Sequence, residues 1–238
     1  MRSDGRAVDS LRKINIIENY ISSSESSILI EFGHTRVLCN TTVDLKVPIW
    51  LKGKGSGWVT AEYSLLPRST PQRVRRERGS VSGRTQEIQR LIGRALRGVC
   101  DLSLLGERTV TIDCDVIEAD GGTRTASVVG GFLSLVKALR AIKFKNGDKS
   151  IIKSWLSAIS VGVVNDTPML DLCYTEDVAA SVDMNVVMND KNEFVEVQGT
   201  GEEATYSRET LNRLLDLAET GCGQIIDIQK ECLGDSLP

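Results

Sequence analysis

Histidine is nearly absent: His34 is the single imidazole among 238 residues. It sits in Gly33-His34-Thr35 between apolar runs, the setting of a hairpin turn, and is given no catalytic role. The six cysteines (Cys39, Cys100, Cys114, Cys173, Cys222, Cys232) contain no Cys-x-x-Cys pair. With one histidine to share, they point to buried free thiols rather than to a zinc site or a disulfide frame. No stretch approaches the roughly 20 apolar residues that span a bilayer. Behind Met1-Arg2-Ser3-Asp4-Gly5-Arg6 there is no apolar signal core, so a cytoplasmic protein with no membrane partner is expected. The glycine-rich Lys52-Gly53-Lys54-Gly55-Ser56-Gly57-Trp58 lacks P-loop spacing and leads into a strand rather than a helix.

Lysine is missing from one region where charge is dense. Between Arg68 and Arg97 lie nine arginines, no lysine and two acids (Glu77 and Glu87), a local +7 that leaves −10 for the rest of a chain with net charge −3. A guanidinium offers planar, directional donors that an ammonium lacks, so the run points to phosphate contacts or to contacts between subunits. A solvated basic face would look the same in sequence.

Alternation predicts strands at Ile14–Ile17, Ser27–Phe32 and Arg36–Asn40, then Trp58–Tyr63. Ile88, Leu91, Ile92, Ala95, Leu96 and Val99 recur at helical spacing, predicting an amphipathic helix over Thr85–Val99 with Arg84 at its start. A strand over Val110–Ile117 and a buried helix from Thr125 to about Ile142 follow. Further strands are expected at Leu156–Val164, Met169–Tyr174, Asn185–Met188 and Phe194–Val197. Two closing helices, Glu209–Glu219 and Gln224–Cys232, have Ser207 as N-cap. Hairpins mixed with long helices give an α+β pattern of mixed β-sheets packed with helices. With no linker in view, residues 1–238 are expected to form a single compact domain.

Two segments carry chemistry. Ala119-Asp120-Gly121-Gly122-Thr123-Arg124-Thr125 joins a strand to a helix, where paired glycines let backbone N–H groups approach an anion and Arg124 adds a fork of donors. A plain glycine turn before a capped helix remains the alternative. In Glu176–Val187, Asp177 and Asp183 flank small residues, and the second precedes an apolar strand. Such a pair suits Mg²⁺ ligation or proton donation to a leaving oxygen, and equally turn and cap chemistry.

Together with Arg2–Arg6, Gly57–Tyr63, Leu66-Pro67-Arg68, Ser82–Arg94, Asp113–Val116 and Glu196–Thr200, these blocks give the chain an end-to-end resemblance to the bacterial ribonuclease PH family. That family comprises phosphorolytic 3′→5′ exoribonucleases that trim tRNA precursors, and its fold also serves polynucleotide phosphorylase and exosome ring subunits. The resemblance implies that Arg84, Gly122, Thr123 and Arg124 bind inorganic phosphate as co-substrate. It implies that Asp177 and Asp183 are the catalytic and Mg²⁺-binding pair. It also implies a homohexamer, a trimer of dimers, in which Arg68, Arg73 and Arg76 contact RNA or a neighbouring subunit. The partners expected are tRNA precursors and other RNA 3′ ends. A catalytically silent RNA-binding ring subunit is the alternative, disfavoured because all four of Arg84, Arg124, Asp177 and Asp183 are kept. A hydrolytic nuclease lacks ligands for a two-metal site. The sequence departs from the family after Thr200, at Gly201-Glu202-Glu203, and near Lys143–Ser154; neither departure is expected to touch the phosphate or acidic residues.

Overall fold

The computed structural model describes residues 2, 4–142, 150–202 and 205–238. Its first sheet has the order β1-β2-β3-β5-β4, built from β1 (Ile14–Glu18), β2 (Ile28–Phe32), β3 (Thr35–Asp44), β4 (Trp58–Leu65) and β5 (Thr109–Glu118). Every pair is antiparallel except β4 with β5. The alternation in β5 sends Val110, Ile112, Cys114 and Val116 inward, so one face is apolar and needs covering. Two helices cover it: α1 (Gly83–Gly98), which with the short α2 (Leu102–Leu105) lies in the β4–β5 crossover, and α3 (Thr123–Arg140).

The second sheet is fully antiparallel, in the order β7-β6-β8-β9, from β6 (Leu156–Val164), β7 (Thr167–Leu170), β8 (Val182–Asn189) and β9 (Phe194–Gly201). All nine residues of β6 are buried, because α3 packs against this strand and so does α5 (Arg208–Leu233). The central helix α3 therefore has sheet on two sides, and its residues from Thr125 to Val136 are buried without a break. Ser127 and Ser134 on that helix are satisfied by the Thr123 carbonyl at 2.7 Å and the Thr41 hydroxyl at 2.7 Å. One continuous cluster of buried side chains extends from Ile28 through Phe132 and Trp155 to Ile225.

Two expectations need correction. The two closing helices are one helix of 26 residues, capped by Ser207, whose Oγ accepts from the Thr210 N–H at 3.1 Å. Gly221 and Gly223 lie inside it; a Cβ on Gly221 would stand 2.7 Å from Leu170 Cδ1, so that glycine serves close packing. The strand expected over Met169–Tyr174 is β7 alone, ended by Asp171 at φ 55°. The chain then turns into a six-residue helix, α4 (Tyr174–Ala179), which alternation could not announce. Elsewhere the elements fall as expected, including the Gly33-His34 turn between β2 and β3. All six cysteines are free and all but Cys232 are buried. Most of the divergent stretch, residues 143–149, lies outside the described residues. Among the described residues no helix is long and apolar enough to cross a membrane.

Gly130 sets how closely α3 approaches the first sheet: a Cβ there would lie 2.6 Å from Ile30 Cγ2 and 2.8 Å from Cys39 Sγ. Gly130→Ala is expected to lower unfolding stability by about 1–3 kcal/mol through overpacking, despite better helix propensity, as read by urea denaturation.

Candidate active site

The glycine pair between β5 and α3 adopts a conformation that other residues reach only with strain. Gly121 has φ 77° and Gly122 has φ 67°, both left-handed, with Gly122 in the N-cap position of α3. Successive left-handed turns curl the backbone so that its N–H groups face one side. Among the described residues, the N–H groups of Gly121, Gly122, Thr123 and Arg124 find no acceptor, and the start of α3 adds the positive end of its dipole. Thr123 Oγ1 is held at 2.9 Å by the Tyr63 hydroxyl from β4.

These groups line a cavity of about 1160 Å³, together with Arg84, Asp177, Asp183, Asn185, Gln198 and Glu202. Arg84 comes from the first turn of α1, Asp177 from α4 and Asp183 from the second position of β8. Arg124 is oriented by Glu87, whose Oε2 accepts from Nη2 at 3.1 Å while Oε1 accepts from Gln198 Nε2 at 3.1 Å. Arg124 Nε and Gln198 Oε1 are both buried without a partner, an unmet donor and an unmet acceptor in one wall.

The acidic side is set by burial. Loss of hydration pushes Asp183 up to about 6, the charge of Asp177 adds to that and Arg124 opposes it. Burial also raises Asp177, against the pull of Arg84 and Arg124. The expectation that the departure after Thr200 avoids the acids is wrong for Glu202. Strand β9 runs back along β8 with Thr200 opposite Asp183, so Glu202 arrives at the cavity wall, where its charge raises both aspartates. Glu203 lies outside the described residues. Among the described residues no group of three or more His, Cys, Asp or Glu side chains could enclose a metal. Two hard carboxylates still fit Mg²⁺, which commonly keeps water and substrate phosphate in the rest of its shell.

The model of the 3′ exoribonuclease family, domain 1, matches residues 10–140, and that of domain 2 matches residues 156–221. The ribonucleases PH of Bacillus cereus strain AH820 and of Bacillus anthracis strain CDC 684 are each 57% identical to the chain, over 99% of it and 98% of their own length. The chain belongs to the ribonuclease PH family. Among solved structures, rice Rrp46 superposes with a TM-score of 0.79 at 18% identity, covering 98% of this chain and all of that one. An Archaeoglobus fulgidus exosome with RNA bound to the active site superposes with a TM-score of 0.78 at 21% identity, over 95% of this chain and 92% of that one. At such identities the likeness concerns the fold.

Against the ribonuclease PH pattern, Arg84, Gly122, Thr123, Arg124, Asp177 and Asp183 meet in one cavity, while Arg68, Arg73 and Arg76 do not enter its wall. Those three are exposed in the segment between β4 and α1, whose Thr70, Pro71, Gln72 and Val74 do line it. Farther along the run, Arg94 is paired with Glu196 at 2.7 Å, and Arg97 lies 4.3 Å over the Trp58 ring, so part of the basic stretch is structural. Sequence reasoning missed Glu87, counted only as charge among arginines, although its place three residues after Arg84 puts the two on one helical face.

The raised Asp183 has a consequence for stability. Its folded value of about 6 exceeds the unfolded value of about 4, so the folded chain holds more protons between them. The favourable contribution is complete below about pH 4 and is lost as pH rises through about 6. Without added metal, Asp183→Asn should therefore be more stable than the parent at about pH 7.5 by on the order of 1–3 kcal/mol, and equal to it near pH 4, by urea denaturation.

Proposed function

We propose that this cavity carries out phosphorolysis of RNA 3′ ends, releasing nucleoside 5′-diphosphates and running in reverse as a nucleotidyltransferase. The observation that carries the reading is the row of unaccepted N–H groups at the start of α3, with Arg84 and Arg124, set across one cavity from Asp177 and Asp183. Arg84, Gly122, Thr123 and Arg124 bind inorganic phosphate and offset its repulsion from the terminal phosphodiester. A phosphate oxygen then attacks the terminal phosphorus in line, and the 3′-oxygen of the preceding nucleotide leaves. Asp183, raised toward neutrality, is suited to give that oxygen its proton. Alternatively Asp177 and Asp183, both ionised, are the residues that would hold Mg²⁺, which when bound would neutralise charge on the reacting phosphates in place of a proton from Asp183.

The natural substrates in this reading are tRNA precursors, the assembly is a homohexamer formed as a trimer of dimers, and the location is cytoplasmic. The exposed Arg68, Arg73 and Arg76 beside the cavity mouth support RNA or subunit contacts, and the resemblance to ring-forming relatives supports the assembly. One folding unit across residues 1–238 is supported by the buried cluster that both sheets share. A silent ring subunit is disfavoured because the phosphate and acidic groups converge on one cavity.

With a 3′-extended tRNA, degradation should require phosphate and yield diphosphates. Release of monophosphates in phosphate-free buffer would refute the proposal. Asp177→Asn and Asp183→Asn should each lower turnover by ~10²–10⁴-fold with tRNA binding retained. Arg73→Ala and Arg76→Ala should instead weaken tRNA binding, and light scattering assigns the cause: a variant that stays a full ring has lost an RNA contact, and one that falls to dimers has lost an interface.

A further inference from the structure

We propose that Arg12, with Asp171 as its counter-ion, is a positioning residue for the phosphate loop; the proposal rests on the reading of Gly122, Thr123 and Arg124 as the phosphate site. The Arg12 guanidinium is buried between a carboxylate and two backbone carbonyls. On one side, Nη2 donates to Asp171 Oδ1 at 2.7 Å and Nε to Oδ2 at 3.1 Å, while the Arg12 backbone N–H donates to Oδ2 at 2.7 Å. On the other, Nη1 donates to the carbonyls of Asp120 at 2.6 Å and Gly121 at 3.4 Å. Asp171 has no exposed surface and Arg12 is 5% exposed, so each charge is compensated within the protein rather than by water; Arg6 Nη1, 3.5 Å from Asp171 Oδ2, is a more distant second cation on that carboxylate.

Peptide geometry turns this into a statement about function. In a trans peptide the C=O and the following N–H point in opposite directions. Fixing the carbonyls of Asp120 and Gly121 toward Arg12 aims the N–H groups of Gly121 and Gly122 away from it, and these are two of the N–H groups left without an acceptor. The Thr35 hydroxyl holds the Gly121 carbonyl from a second direction at 2.7 Å. The loop has little other room: a Cβ on Gly122 would stand 3.0 Å from Arg12 Nη2, and one on Gly121 would stand 2.6 Å from the Leu172 carbonyl. Lysine cannot reproduce this bridge, because a point charge cannot span a carboxylate and two carbonyls at once.

A second buried arginine supplies an internal contrast. Arg2 pairs with Glu176 at 2.7 Å and 2.8 Å and donates to the Leu170 and Asp171 carbonyls, each at 2.8 Å; the Glu176 carboxylate itself accepts from the Cys173 N–H at 3.1 Å and so anchors the helix carrying Asp177, with no hydrogen bond to the glycine loop. The two ion pairs should therefore fail in different kinetic parameters. In full-length protein, Arg12→Lys and Asp171→Asn should raise the KM for phosphate roughly 10–100-fold while kcat at saturating phosphate changes little, whereas Glu176→Gln lowers kcat with the phosphate KM kept. A readout independent of turnover is the rise in melting temperature with added phosphate, whose midpoint should move to higher phosphate in Arg12→Lys and Asp171→Asn. It also serves a variant that is only marginally folded. If both variants keep the parent's KM and melting response, or lose kcat alone, or if Glu176→Gln raises KM as much as they do, the positioning role is overturned. A parent enzyme indifferent to phosphate, both in turnover and in melting, would overturn the reading of the site itself.

Discussion

Repulsion between like charges is the constraint around which the cavity is organised. In the proposed reaction phosphate and the scissile phosphodiester are both anions, and the wall that would receive them carries Asp177, Asp183 and Glu202. Left uncompensated, that wall would reject its own substrates. The answer in this fold is to bring two helix starts to the same place: α1 contributes Arg84, and α3 contributes Arg124 with the unaccepted N–H groups before it. Backbone dipoles and guanidinium groups cannot lose a proton near neutral pH, so the positive side is fixed while the acidic side is free to titrate. Burial raises both aspartates, and it moves Asp183 toward the range where it can exchange a proton with a leaving oxygen.

This arrangement demands rigidity where the two sheets meet, because the phosphate side is built on the first sheet and α3 while the acids belong to the second sheet and α4. Three contacts tie them together. Gly121 is packed directly on the backbone at Leu172–Tyr174, the Tyr174 N–H donates to Asp120 Oδ1 at 3.3 Å, and Arg12 joins Asp171 to the glycine loop. Each contact couples a residue just after β7 to one just after β5. The unusual backbone collects at the same junction: Gly121, Gly122 and Asp171 all have positive φ. Strain of this kind persists only where surrounding contacts over-determine it.

Much of this was legible in the sequence, and the boundary is a physical one. Patterns that act over a few residues were readable: alternation in β3 and β5, the apolar stripe of α1, and the strand, glycine pair and helix that form the phosphate loop. A role for Asp177 and Asp183 was not readable from spacing alone, since both equally suit turns and caps; only the resemblance to a family singled them out as a candidate pair. What stayed hidden depends on distant partners. Arg12 and Asp171 are 159 positions apart, and Arg2 and Glu176 are 174 apart, so neither pair leaves a local trace. Glu202 escaped for a related reason: β9 returns it to the acids by strand pairing, a register that no short window contains. The continuity of α5 also depends on a distant partner, because Gly221, unfavourable in a helix taken alone, is the residue that lets this helix lie close against Leu170.

Arginine also does two kinds of work that composition cannot separate. Arg94, Arg2 and Arg12 are paired with acids, so their charge is largely neutralised within the fold, and Arg97 is turned onto the Val59 carbonyl and the Trp58 ring. Arg84 and Arg124 face the cavity, and Arg124 keeps Nε unmatched even while Glu87 holds its other edge. Glu87 orients that guanidinium without quenching it, because a single ion pair takes up only part of a five-donor fork. The same carboxylate steadies Gln198 through its Nε2, so one acid on α1 fixes two residues of the cavity wall, Arg124 at the start of α3 and Gln198 on β9, and ties the first sheet's helices to the second sheet at the site itself.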